Sequence, residues 1–200
     1  MITHLRPALV MIVLMTIITG LAYPLAMTGL AGALFPHQAA GSLVQRDNKV
    51  IGSSLIGQNF SGASYFHSRP SATTAPDPSD SAKTVAAPYN AANSSGSNLG
   101  PTAKALVERV KDDVVKLKLE NPEGVVPVDL VTTSGSGLDP DVSPRAAMFQ
   151  VPRVARARGL PEATVAALVT AHTQGRLLGL LGEPRVNVLA LNLALDDIGK

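Results

Sequence analysis

No charged side chain occurs between Pro7 and Phe35. As a helix this run of about 29 residues would extend roughly 43 Å, at ~1.5 Å per residue, against a hydrocarbon core of ~30 Å. It is long enough to cross a bilayer with tilt, and it limits the fold to an anchor plus whatever the remaining residues build outside the membrane. A secretory signal peptide would need an apolar region of only about 7–15 residues, so length favours an uncleaved anchor. Ala31 and Ala33 form a small-x-small spacing that keeps a cleavage reading open.

Charge on either side sets the orientation. Arg6, with His4 and the α-amino group, lies directly before the run. Behind it the first cations are Arg46 and Lys49, with Asp47 between them. The positive-inside tendency puts residues 1–6 in the cytoplasm, 7–35 across the membrane and 36–200 in one extracytoplasmic domain. The tract LLGLLG at 177–182 is far too short to bring the chain back. Pro24 should loosen the helix around Gly20, because it lacks an N–H and its ring crowds that carbonyl. Ala22, Ala26, Gly29 and Ala33 fall on one helical stripe of small side chains. Such a stripe lets another helix approach closely in lipid, although Gly and Ala are also common in membrane helices generally.

The rest reads as a mixed α/β (α+β) domain on this single N-terminal transmembrane helix. Residues 37–52 form a polar exit segment, and 53–72 suit short strand or turn pieces. Residues 71–95 are a polar loop of Ser, Thr, Ala, Pro, Asp and Asn. Pro101 should open an amphipathic helix that runs to about Glu120, with Leu106, Val107, Val110, Val114 and Leu117 at helical spacing. The β-branched run 125–134 predicts a strand. Ser143-Pro144 should cap and begin a second helix that Pro152 kinks or splits and Gly159 ends. Leu160-Pro161 starts a third, and 185–196 reads as a buried strand.

Chemical motifs are scarce. The chain has no cysteine, which removes thiol nucleophiles, disulfides and cysteine-ligated metals. A formal charge of +2, no Trp and 4% aromatic residues give nucleic acid neither a basic stripe nor a stacking platform. No P-loop pattern occurs. Ser136 would need Gly before it at position 134 to form a nucleophile elbow, and Ser134 stands there. Asp139 and Asp141 suggest a cation-attracting loop, but an EF-hand begun at Asp139 would meet Pro144 where Gly belongs and Gln150 where Glu belongs. These carboxylates are better read as turn formers that accept backbone N–H groups. His4, His37, His67 and His172 are scattered without an i, i+4 partner. No catalytic residue and no metal ligand is therefore assigned.

The strings GQNFSGASYFHSRPSA, SSGSNLGPT, VPVDLVTTSGSGLDPDVSP, QVPRVARARGL and HTQGRLLGLLGEPRVNVLALNLALD resemble, in order, those of the C subunits of the bacterial potassium-transporting P-type ATPase, the Kdp complex. The resemblance covers essentially the whole chain. It implies a non-catalytic accessory subunit of an ATP-driven potassium uptake pump in the bacterial inner (plasma) membrane. Its partners would be a channel-like potassium-translocating subunit, an ATP-hydrolysing P-type subunit and a small membrane peptide. Those partners would handle potassium, magnesium and ATP, leaving this chain no cofactor of its own. The family is described as a catalytic chaperone that raises ATP affinity. Ser134, Gly135, Ser136 and Gly137, with Gln150, have some likeness to a nucleotide-contacting signature loop. An extracytoplasmic domain could not reach cytoplasmic ATP, so topology and that likeness pull in opposite directions. The alternative to an accessory subunit is a free-standing, membrane-anchored extracytoplasmic binding protein.

Overall fold

The structure, a computed structural model, describes residues 2–80 and 82–198. Ser81, within the expected polar loop, lies outside the described residues. The contacts divide the chain after Ser53 into two units.

In the first unit one apolar helix runs from Leu5 to Leu34, with none of its apolar window buried. It consists of α1 (Leu5–Ile17), a π-helical turn (Ile18–Ala22) and α2 (Tyr23–Leu34). The loosening expected near Gly20 takes the form of this wide turn, in which the Tyr23 N–H donates to Ile18 O. Pro24 leaves the Gly20 carbonyl without its usual donor, and inserting one residue into the turn relieves the crowding. A short α3 (Pro36–Ala39) follows. The segment 37–52 then contains an antiparallel hairpin, β1 (Leu43–Arg46) and β2 (Lys49–Ser53), in place of a plain polar exit. Asp47 and Asn48 make its turn with φ of 51° and 59°, the left-handed pair that a two-residue hairpin requires.

In the second unit the 71–95 segment folds back as a small hairpin, β3 (Thr74–Pro76) with β4 (Thr84–Ala86). Next comes α4 (Lys104–Glu120). It begins three residues later than expected, because Pro101 and Thr102 sit in a turn closed by Ala103 N–H donating to Gly100 O. No strand forms over 125–134. Pro122 and Pro127 break the chain, and a 3-10 turn (Val128–Leu130) follows. Val125 and Val128 face solvent there, while Leu130 and Val131 turn inward.

A two-residue β5 (Asp141–Val142) leads into α5 (Pro144–Arg158), capped by Ser143 Oγ accepting the Ala146 N–H. Gly159 ends α5 as expected, but the helix is not split at Pro152. Buried Phe149, Val151, Val154 and Ala155 flank that proline and hold the helix against the core. Helix α6 (Glu162–Ala171) and β6 (Thr173–Gln174) follow.

The expected C-terminal strand is mostly helix. Only β7 (Arg185–Asn187) is extended, and α7 (Val188–Asp197) takes the rest. Asn187 Oδ1 accepts the Ala190 N–H and caps α7. Val188, Leu191, Asn192 and Leu195 then bury one helical face. An apolar run of this kind fits strand and buried helix equally until a cap decides it. The three strands pair antiparallel in the order β5-β7-β6, so the body is α+β. Phe66, Val142, Val154, Val165, Val169, Val186, Leu191 and Leu195 fill its core.

Candidate functional site

On the anchor, Ala22 closes the π turn and Ala26, Gly29 and Ala33 lie in α2. At ~100° per residue the four fall within about 60° of one another on the helix surface. All four are exposed, and a Cβ placed on Gly29 would meet nothing within 4 Å. This face is therefore open to another helix.

In the body, the segment Ala63–His67 has no strand partner and sends Phe66 into the core. Its polar backbone is satisfied by side chains from two helices. Gln150 of α5 accepts the His67 N–H at 2.7 Å and donates to His67 O at 3.1 Å. Asn192 of α7 does the same for Phe66, at 2.8 and 3.0 Å. Arg153 donates to the carbonyls of Ala63 and Tyr65, and Arg158 Nε to that of Ser64. Each carbonyl from 63 to 67 thus has a side-chain donor. Buried amide groups without partners are costly, and this clamping is what allows Phe66 to sit fully buried. Arg158 also pairs with Asp196 at 2.7 Å and lies 4.8 Å from the centre of the Tyr65 ring.

Gln150 spends its remaining capacity on Arg153 and on Ala146 O, and it is 2% exposed. Arg153 Nε lies 2.9 Å from Glu120 Oε2 as an ion pair that is out of line for a hydrogen bond. Burial, and then the charge of Arg153, push the His67 imidazole below its usual range; its bond to Gly62 O works the other way.

Beside this strap lies a cleft of about 580 Å³ lined by residues including His67, Arg69, Tyr89, Arg109 and Gln150. Arg69 Nε, and Nε and Nη2 of Arg109, are buried there without a hydrogen-bond partner among the described residues. Arg109 Nη1 holds Asp113 Oδ2 and Val131 O, each at 3.1 Å. The Tyr89 hydroxyl donates to Arg69 O at 2.7 Å. Burial raises its pKa to about 12, so it remains a donor throughout the ordinary pH range.

The loop Ser134–Gly137 is tied to the 71–95 segment. Ser136 O accepts from Ser95 N–H and from Ser94 Oγ, and Ser136 Oγ accepts the Leu138 N–H. Ser71 Oγ donates to Gly137 O. Gly137 has φ of 68°, and a Cβ there would lie 2.5 Å from Thr73 Cγ2, so both backbone and space demand glycine. No hydrogen bond joins Gln150 to residues 134–137 among the described residues.

Asp139 and Asp141 border a separate concavity of about 590 Å³, together with Asp129, Glu183, Arg69 and Arg185. Asp139 Oδ1 accepts the Asp141 N–H, the turn role expected of it, and Oδ2 pairs with Arg69 at 2.8 Å. Asp141 Oδ2 lies 3.3 Å from Arg185 Nε. Burial, with Asp139 adding to it, raises the Asp141 carboxyl above its usual range. Both carboxylates thus have cationic neighbours within the fold. No group of three His, Cys, Asp or Glu side chains suited to a metal ion occurs among the described residues.

Sequence reasoning did not identify Asn192, Arg153, Arg158 and Arg109 as working residues. The backbone groups that these side chains hold lie 22 to 126 residues away, and no local pattern announces such pairs.

Residues 5–197 match the family described as K+-transporting ATPase, c chain. A potassium-transporting ATPase KdpC subunit of Methylorubrum extorquens is 72% identical over 200 residues, covering 100% of both chains. One from Bradyrhizobium diazoefficiens is 71% identical over 196 residues and 98% of each chain. Another, from Methylobacterium nodulans, is 71% identical over 198 residues, 99% of this chain and 98% of the relative. The chain belongs to the KdpC family of potassium-transporting ATPase subunits.

Proposed function

We propose, from that membership, that the chain is a non-catalytic accessory subunit of an ATP-driven potassium uptake pump in the bacterial inner membrane. The observation that carries this reading is the family match along nearly the whole chain, residues 5–197. Its partners are the potassium-translocating channel-like subunit, the ATP-hydrolysing P-type subunit and the small membrane peptide, and these handle potassium, magnesium and ATP. Arg6 ahead of the anchor supports a cytoplasmic N-terminus and an extracytoplasmic body. The open face of Ala22, Ala26, Gly29 and Ala33 supports assembly through the anchor. Any rise in ATP affinity then passes through the membrane helices, as a shift between conformations of the hydrolytic subunit.

Two measurements test this. An affinity-tagged chain should bring the large pump subunits out of membranes with it. Ala82, exposed in the 71–95 segment, can carry the only cysteine of the chain. Ala82→Cys should react with an impermeant maleimide in cells whose inner membrane is intact and whose outer layer has been opened. Reaction only after lysis overturns the orientation. Failure to co-purify overturns the accessory role in favour of a free-standing anchored binding protein, for which the cleft at Arg69 and Arg109 is the place to look for a ligand.

A further inference from the structure

We propose that the loop between Arg176 and Glu183 is an apolar peg that docks in an uncharged protein socket on another subunit of the pump; this rests on the accessory-subunit reading above. Leu177, Leu178, Leu180 and Leu181 stand 67, 85, 80 and 61% exposed. Single exposed leucines are ordinary, but four within five residues at one loop tip are not. Leu178, the most exposed, is held at φ of 54°. A bulky side chain in the left-handed region is strained, and that strain here serves to hold an apolar group outward in water.

The loop is also prepared for removal from water. Leu177 and Leu181 exchange N–H to O bonds at 2.9 and 3.0 Å. Leu180 N–H donates to Leu177 O and Gly179 N–H to Arg176 O. Its N–H groups at 177, 179, 180 and 181 are therefore satisfied internally and can enter an apolar site without losing partners. At the neck, Arg176 Nη2 meets both carboxylate oxygens of Glu183 at 2.8 Å. Arg185 is taken up by Asp141 and Gln174. A segment that grips a lipid surface sets its apolar face beside free Lys or Arg that meet the headgroups. Residues 173–187 contain no Lys and no aromatic side chain, and their arginines are paired. Paired charges and a narrow aliphatic tip therefore favour a socket in a protein over headgroups.

Because the native chain is cysteine-free, Leu180→Cys creates a single thiol. Its maleimide reaction is followed in open membrane fragments, where sidedness does not matter, with the chain expressed alone or with the rest of the pump. At least tenfold slower labelling in the assembled pump than in the chain alone is expected. In parallel, Leu178→Ser/Leu180→Ser should cut recovery of the pump with the tagged chain several-fold in detergent, while the melting temperature of the isolated chain does not fall. Equal labelling in both settings, with the pump recovered intact, overturns the peg and leaves the accessory role standing. Slow labelling already in the chain alone points to lipid and overturns the protein socket. A native chain that recovers no pump overturns both readings.

Discussion

Gln150 and Asn192 each use a carboxamide to supply one donor and one acceptor to a single backbone residue, as a neighbouring strand would. Truncating Asn192 strands two buried backbone groups, and truncating Gln150 strands two that are partly buried. Asn192→Ala should therefore cost about 2–4 kcal/mol, from two buried groups at ~1–3 kcal/mol each with partial relief. Thermal unfolding of the purified chain reads this directly, and a shift of under a degree would show that the strap does not depend on it. His67 adds a pH dependence. Well above pH 6.5 the ring is neutral in folded and unfolded chain alike. As the pH falls through 6.5 the unfolded chain takes up a proton that burial and Arg153 deny the folded one, so stability drops. Melting temperature should fall between about pH 7 and 5.5, and His67→Gln should flatten that fall. Asp141, raised from 3.8 chiefly by burial, works in the opposite sense. A melting temperature that rises on acidification across this window would reject the His67 assignment.

At the scale of elements, helices were legible where apolar spacing and caps agreed. Helix α4 ends at Glu120 before Asn121-Pro122, and α5 lies between Ser143 and Gly159, as their sequences imply. The β1–β2 hairpin was legible too, in Asp47-Asn48, but a reading by polarity alone passes over it. Helix α7 was not legible, because its near-continuous apolar run suits either period and only the Asn187 cap separates them. The strap was hidden for a deeper reason: its partners are side chains of distant helices, and local pattern carries no trace of them. The anchor makes its own prediction. Ala26→Leu/Gly29→Leu should leave insertion intact and reduce pump recovery in detergent, since bulk on this face prevents close helix approach. Undiminished recovery would remove the face as a contact.

For the whole molecule, the decisive question is which side of the membrane the body occupies. If it is extracytoplasmic, Ser136→Ala removes only a short bond to Leu138 N–H and cannot touch ATP. The ATP dependence of the assembled pump in sealed vesicles should then match that of the unaltered pump. A selective loss of ATP affinity at normal pump yield would put the body in the cytoplasm.

The carboxamide clamp also imposes an order of events on synthesis. Phe66 and His67 leave the ribosome early, yet Gln150 follows His67 by 83 residues and Asn192 follows Phe66 by 126. Closing loops of that length comes late and slows folding relative to local pairing. Until α5 has been made, residues 63–67 must keep water as their hydrogen-bonding partner, and Phe66 must do so until α7 follows. The body's core can therefore close only after the anchor has long been available for insertion.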